Sequence, residues 1–374
     1  MKRLVMIIVL IAVSALLPSA VSAEGSSDDA YEAIISDINS RLEGVGGDDA
    51  QSFLDDNGIA ADKPETISAI APDTVFDYIL SLFKDEITQP VKLLGKLIAA
   101  AAVCTLIKSL GSSPKLEASF AMVSSLVCIL IVSDSLSDSV QRVISSLDTI
   151  NEYMTAYIPV FTGVSTASGN AVSAAGYYSV MFFVCELMVY ISSKLLLPLI
   201  SCVLAMSLVS AIDPAIGLGK AAETVRSFVV KALSFIMIVF TALMSITGLS
   251  GSAADSLGAK TIKFAASSFI PVIGGSVSEA YSAVKGSLGA IRTSVGLIGV
   301  LTVAVIVLRP LIAVIAMRII VAAAKIIHDM FSLEQSSAVL TGIGSVLAIA
   351  MSIAVAYALF FIVATSVILL TAAG

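Results

Sequence analysis

Charged residues are scarce in this chain: Asp, Glu, Lys and Arg together make up 13% of its 374 residues, about half the roughly 25% usual in soluble domains. Histidine occurs once, as His328 beside Asp329 in a polar connection between apolar segments, which excludes an HExxH zinc site and any histidine-rich cluster. Cysteine is also sparse. Cys104, Cys128, Cys185 and Cys202 each lie in an apolar stretch without a close partner, which speaks for small buried side chains rather than disulfides or a thiolate metal site. What fills the chain instead is apolar: 57% of its residues are hydrophobic and the mean hydropathy is +1.01. Such a composition has lipid as its main solvent and argues against a soluble enzyme.

The N-terminus carries the three parts of a secretory signal at 1–23: basic Lys2 and Arg3, apolar Leu4 to Leu17, and the small-residue site Val21-Ser22-Ala23. Cleavage before Glu24 is expected; the alternative is an uncleaved first anchor, for which the apolar run is short. On either reading the segment after Ala23 is exported. Between Glu24 and Glu86 stand sixteen acidic residues against Arg41, Lys63 and Lys84, whereas the rest of the chain is mildly basic. The pattern predicts an exported acidic region over 24–88 and a polytopic membrane domain over 89–374, with Lys and Arg kept on the cytoplasmic side. The acidity reads as solvation. Up to Lys63 the turn formers Gly44-Val45-Gly46-Gly47 and Asp55-Asp56-Asn57-Gly58 allow short helices at best.

From Pro72 the pattern changes. Val75, Phe76, Ile79, Leu80, Phe83 and Ile87 recur at helical spacing, predicting an amphipathic helix that runs into the membrane. A first span is expected near Val91 to Ile107, a basic cytoplasmic turn at Lys108, Pro114 and Lys115, and a return span near Ala118 to Val132. The segment Ser133 to Tyr157 holds four acidic residues against Arg142 alone, and should share the exported side. Within it Leu136, Val140, Val143, Leu147, Ile150, Met154 and Tyr157 form one apolar seam, which wants a partner helix from another subunit or from this chain. Tyr177 to Ile212 is too long for one span, reading as two helices or a span plus a re-entrant piece. Further spans fall near Phe228 to Leu249 and Val295 to Met317. The uncharged run Val339 to Leu370 overruns a bilayer, so it must tilt, break near Gly342 and Gly344, or double back. The fold class is therefore all-α: a transmembrane helix bundle of about six or seven spans.

Tests for chemistry give little. Gly217-Leu218-Gly219-Lys220 has Pro214 where a phosphate loop needs its first glycine and Ala221 where it needs Ser or Thr. Gly248-Leu249-Ser250-Gly251 resembles the motif of intramembrane serine proteases, but His328 is poorly placed as its base, and a helix end with a tight turn is the ordinary reading. No catalytic, cofactor or metal residue is expected. Three ionisable groups at membrane depth are candidate pathway or structural residues, because each costs about 2.5–3.5 kcal/mol in lipid unless paired or facing water: Glu186, Lys194 and Arg309, the last before the helix-breaking Pro310. Glu186 and Lys194 could pair across the bundle, or all three could sit at span ends. Pro271, Gly274 and Gly275, after the short apolar piece Phe264 to Ile273, fit a re-entrant element or a surface loop.

Three stretches carry a resemblance. Lys263-Phe264-Ala265-Ala266-Ser267-Ser268-Phe269-Ile270-Pro271-Val272-Ile273-Gly274-Gly275, followed by Ser278-Glu279-Ala280, is similar to the central signature of the stage III sporulation protein AE family. Tyr157-Ile158-Pro159-Val160 leading to Ala167–Ala175, and the segment around Leu196-Leu197-Pro198-Leu199, agree with it. The resemblance implies a membrane subunit of the complex joining mother cell and forespore in endospore-forming bacteria, placed in the mother-cell membrane around the forespore. Its implied partners are the other membrane subunits of that complex, lipid, and further copies of the chain, with no role for nucleic acid. It implies no catalytic residue, and leaves Pro271, Gly274, Gly275 and Glu279 as signature positions without an assigned role. A small-solute permease or conducting subunit is the alternative, motivated by Glu186, Lys194 and Arg309.

Overall fold

The computed structural model describes residues 36–59 and 72–372, apart from 37, 43, 111–113, 192–193, 195–196, 213–217 and 270–273. The signal at 1–23 therefore lies outside the described residues, as do 24–35, 37, 43 and 60–63 of the acidic region. Among the described residues eight helices succeed one another: α1 Gly47–Asp56, α2 Pro72–Leu110, α3 Pro114–Ala167, α4 Ala171–Tyr190, α5 Leu197–Ile212, α6 Leu218–Phe269, α7 Gly274–Met330 and α8 Glu334–Ala372. Six of them, all but α1 and α5, are long and apolar enough to cross a membrane. The expected all-helical, multi-span architecture is the observed one, and Tyr177 to Ile212 divides into α4 and α5 as two helices.

The helices are far longer than a bilayer requires. α3, α6 and α7 contain 54, 52 and 57 residues, so each extends about 80 Å against about 30 Å of hydrocarbon. Proline marks starts rather than stops here. Pro72 and Pro114 open α2 and α3, where a missing N–H costs nothing, whereas Pro90, Pro159 and Pro310 lie inside helices without ending them. Pro310 is therefore not the break its chemistry suggested. α2 also runs without interruption through residues 88 and 89, where the acidic region was expected to give way to the membrane domain.

α7 and α8 form the centre. About two-thirds of their most apolar windows are buried, against 17–39% in the other four candidate spans. α8 packs on α3, α4, α5, α6 and α7, while α2 lies outside on α3 and α7. The uncharged run Val339 to Leu370 neither breaks nor doubles back: it lies within one helix of 39 residues, about two-thirds buried by its bundle neighbours. The seam from Leu136 to Tyr157 is wholly buried within this chain, so its partner is internal.

Turns obey local rules. At the end of α3 the N–H of Asn170 reaches the carbonyl of Ser165 and that of Gly169 reaches Thr166, with Gly169 at φ +83°; this is a left-handed helix stop that glycine permits. α7 ends the same way, with Ser332 at φ 54° in the glycine position and Leu333 bonding back to His328. His328 thus belongs to the last turn of α7. It is buried, with Nδ1 2.8 Å from the Ala324 carbonyl oxygen, rather than lying in a polar connection. Gly248 to Gly251 likewise lies inside α6 and forms no turn.

Candidate functional site: a polar layer near one end of the bundle

Most of the bundle interior is aliphatic, so its polar side chains stand out. They concentrate where α3 turns into α4. Tyr153, Tyr157 and Phe161 succeed one another on α3 at four-residue spacing; Tyr157 stacks between the other two rings, and Phe161 meets Tyr177 of α4 at a centroid distance of 5.0 Å. Phe361 of α8 closes the ladder edge-on. The polar tips of two of the tyrosines are used: Tyr157 donates to the carbonyl of Val295 on α7 and Tyr177 shares a hydrogen bond with Thr365 on α8, whereas the buried Tyr153 hydroxyl has no hydrogen-bond partner among the described residues. The rings approach α7 so closely because position 299 is glycine; a Cβ there would collide with the Tyr157 ring.

Beyond the ladder lies a buried charge of each sign. Asp255 of α6 is 7% exposed, and its two carboxylate oxygens accept the backbone N–H groups of Val172 (2.9 Å) and Ser173 (3.0 Å). Asn170, at the N-cap of α4, makes no side-chain cap, so a carboxylate from another helix supplies it and sits at the favourable end of the helix dipole. The contact needs Gly251 one turn earlier on α6, whose Cβ would come within 2.7 Å of the Ser173 Cα. Arg292 of α7 is 5% exposed and donates from Nη2 to the Ile368 carbonyl of α8 at 2.6 Å. Asp255 is close enough to act on it electrostatically. A lone buried guanidinium would cost several kcal/mol, and the opposite charge offsets part of that. The layer therefore ties α3, α4, α6, α7 and α8 together, with both oxygens of Asp255, Nη2 of Arg292 and the Tyr157 hydroxyl bonded to backbone groups.

Such groups make a poor catalytic centre. The Asp255 oxygens are both occupied, and an arginine stays protonated under all ordinary conditions. Ser250 is exposed on α6, and His328 bonds within its own helix. Among the described residues no three His, Cys, Asp or Glu side chains could jointly hold a metal ion.

The candidate pathway residues do not converge. Glu186 and Lys194 are both exposed, and no ion pair joins them among the described residues. Arg309 is half-exposed on α7, where Nε approaches Asp49 of α1 at 3.4 Å and Glu86 of α2 at 4.0 Å; Glu86 also bonds Arg142 of α3 at 2.6 Å. Arg309 thus faces the N-terminal region rather than Glu186 or Lys194. Gly274, Gly275 and Glu279 fall in the first turns of α7, and α6 remains helical through Phe269; Pro271 lies outside the described residues. Of the cysteines, Cys128 and Cys185 are buried as expected, Cys104 is half-buried and Cys202 is exposed.

A protein-family model described as stage III sporulation protein AE matches residues 64–372. The chain belongs to that family. A curated relative, the stage III sporulation protein AE of Bacillus subtilis (strain 168), is 25% identical over 236 residues, covering 62% of this chain and 59% of the relative. The chain thus matches about three-fifths of that relative's length. No solved structure matches it. One of the three stretches resembling the family maps onto the polar layer: Tyr157–Val160 contributes the central ring of the ladder, and Ala167–Ala175, to which it leads, is the α3–α4 junction itself. The buried pair Asp255 and Arg292 escaped sequence reasoning, because two charges 37 positions apart on different helices carry no local pattern. The one usable signal was their isolation in otherwise apolar helices.

Proposed function

We propose that this member of the family is a non-enzymatic membrane subunit of the complex that joins mother cell and forespore, acting as a channel or assembly component. On this reading it is a multi-pass protein of the mother-cell membrane around the forespore, with its N-terminal region exported. Family membership supports the sporulation role, and six candidate spans support the membrane placement.

The observation that carries the assembly role is a face of the bundle that lipid would not tolerate. Tyr357 of α8 donates to Asn151 of α3 at 3.2 Å, and Phe240 of α6 meets the nearby Phe360 of α8. Those contacts put α3 near Asn151 and α6 near Phe240 at similar heights. At that height α6 exposes Phe235, Ile238 and Leu243, whereas α3 exposes Asp148 and Glu152. On the adjoining part of α2, Asp73, Asp77 and Asp85 are exposed as well. One side of the bundle suits lipid and the other suits water or a basic partner surface. A permease path would instead require inward-facing charges open to a solute, whereas Glu186 and Lys194 face outward and the inward Asp255 and Arg292 are bonded to backbone groups.

Purification of tagged protein from sporulating cells, with a photo-crosslinking residue at position 77 or 148, tests this reading. Crosslinks to other sporulation membrane proteins are expected, together with arrest of spore development when the gene is deleted. Recovery of the chain alone, from cells that sporulate normally without it, would overturn the proposal.

A further inference from the structure

At the opposite end of the bundle from the polar layer, α2 ends, α3 begins and the α7–α8 turn passes between them. These elements border an open pocket of about 360 Å³ lined among others by Cys104, Lys108, Ser124, Glu334, Gln335 and Ser336. The size lies within the roughly 300–1,000 Å³ of small-molecule sites. Its lining is built rather than incidental. Ser124 of α3 and Ser336 of α8, both buried, share a hydrogen bond of 2.7 Å. The ammonium of Lys108 is held at the wall by the carbonyl of Ser332, at 3.1 Å, in the left-handed turn that ends α7.

Two features define the ligand that fits. Lys108 and Glu334, from different helices, give the wall one charge of each sign, so the wall complements a dipolar ligand better than a simple anion. The second feature is position. Val103 and Ile107 each stand one place before Cys104 and Lys108, and Met122 and Val123 lie between Ala121 and Ser124; all four are exposed apolar side chains. An apolar surface thus flanks a polar cavity at the end of two candidate spans, the setting of the lipid headgroup region.

We propose that this cavity binds the headgroup of a phospholipid carrying both a phosphodiester and a primary ammonium, of the phosphatidylethanolamine type. The Lys108 ammonium donates to the phosphate oxygens, the Glu334 carboxylate accepts from the lipid ammonium, and the acyl chains run along Val103, Ile107, Met122 and Val123. A quaternary headgroup has no N–H to give Glu334, and an anionic glycerol headgroup meets that carboxylate as a like charge.

The full chain, purified in mild detergent and delipidated, is titrated with dioleoyl phosphatidylethanolamine, phosphatidylcholine or phosphatidylglycerol, and bound lipids are counted by native mass spectrometry. The expected result is one phosphatidylethanolamine retained at least fivefold more tightly than either competitor. Glu334→Gln, at an exposed position where circular dichroism should show the fold intact, keeps an acceptor oxygen but loses the charge and should weaken the preference over phosphatidylcholine at least twofold, and Glu334→Lys should turn it toward phosphatidylglycerol. Equal retention of all three lipids, or a preference unchanged in Glu334→Gln, would overturn the site. Displacement of the bound lipid by equimolar soluble glycerophosphoethanolamine would show a site for a free headgroup compound and overturn the lipid assignment.

Discussion

Removing the Asp255 carboxylate strands two backbone N–H groups at the start of α4 and leaves Arg292 without its compensating charge. Loss of a helix cap costs about 0.5–2 kcal/mol, and taking a negative charge from the neighbourhood of a buried guanidinium adds to that. Asp255→Ala should therefore lower the thermal midpoint in detergent well beyond an ordinary surface change, whereas Asp255→Asn, which keeps one acceptor oxygen, should lose less. Equal midpoints for wild type and Asp255→Ala would remove the layer's structural role. Glycines on α7 offer a sharper contrast. Gly299→Ala drives a methyl group into the Tyr157 ring, which is held by its bond to Val295, an overpacking that costs about 1–3 kcal/mol. Gly289→Ala, with open space around it, should be neutral or raise stability by up to about 1 kcal/mol through the ordinary gain of alanine in a helix. Thermal unfolding of the two variants by size-exclusion analysis reads the difference directly.

At the scale of elements, α1 is held to the bundle by two kinds of contact of unequal worth. Asp49 and Arg309 are each more than two-fifths exposed, and such pairs contribute about 0–1 kcal/mol. Phe53 is 6% exposed and its ring lies 4.8 Å from Tyr78 of α2, so truncating it removes about 3–5 kcal/mol of packing. Limited proteolysis should accordingly cut near residues 57–59 much faster in Phe53→Ala, and at an almost unchanged rate in Asp49→Ala. The reverse order would mean that charge, not packing, docks α1. This hierarchy also explains how far the sequence could be read. Periodicity revealed α2 and the buried seam of α3, since one apolar stripe repeats over many turns and needs no knowledge of its partner. It could not show that the spans continue as helices far past the bilayer: Ser133 to Tyr157 is polar on most faces, and only packing against α2, α7 and α8 keeps it in register with the span before it. Glu186 and Lys194 drew notice as membrane-depth charges, yet the face each occupies depends on the bundle's rotation about α4 and α5, which hydropathy does not encode. Asp255 and Arg292, which do face inward, differ from them in sequence only by the groups they touch.

Across the whole molecule the outward apolar surface is staggered. Near the α7–α8 turn it lies on α2, α3 and α7, at Leu106, Leu130, Ile326 and Met330; nearer the polar layer it lies on α4 and α6, at Phe183, Phe235, Ile246 and Leu249. From Leu130 to Asn151, whose height approximates that of Phe240, α3 climbs about 30 Å. A membrane lying square to the bundle axis would have to cover both patches, roughly doubling the hydrocarbon thickness of about 30 Å and burying Asp148 and Glu152 in lipid, at a cost no bilayer adjustment of a few ångströms relieves. An oblique bundle meets both demands, with the acidic side of α2 and α3 tilted into water on one face and the basic start of α6, at Lys220, Arg226 and Lys231, tilted out on the other. Spin labels placed singly at 130, 183, 249, 148 and 152 in a cysteine-free chain in lipid bilayers distinguish the two arrangements. Oblique placement predicts oxygen-dominated relaxation at 130, 183 and 249, and nickel-complex-dominated relaxation at 148 and 152. Water accessibility at 183 and 249, with lipid accessibility at 130 alone, would instead place the axis along the membrane normal, with the hydrocarbon confined to the end near the α7–α8 turn.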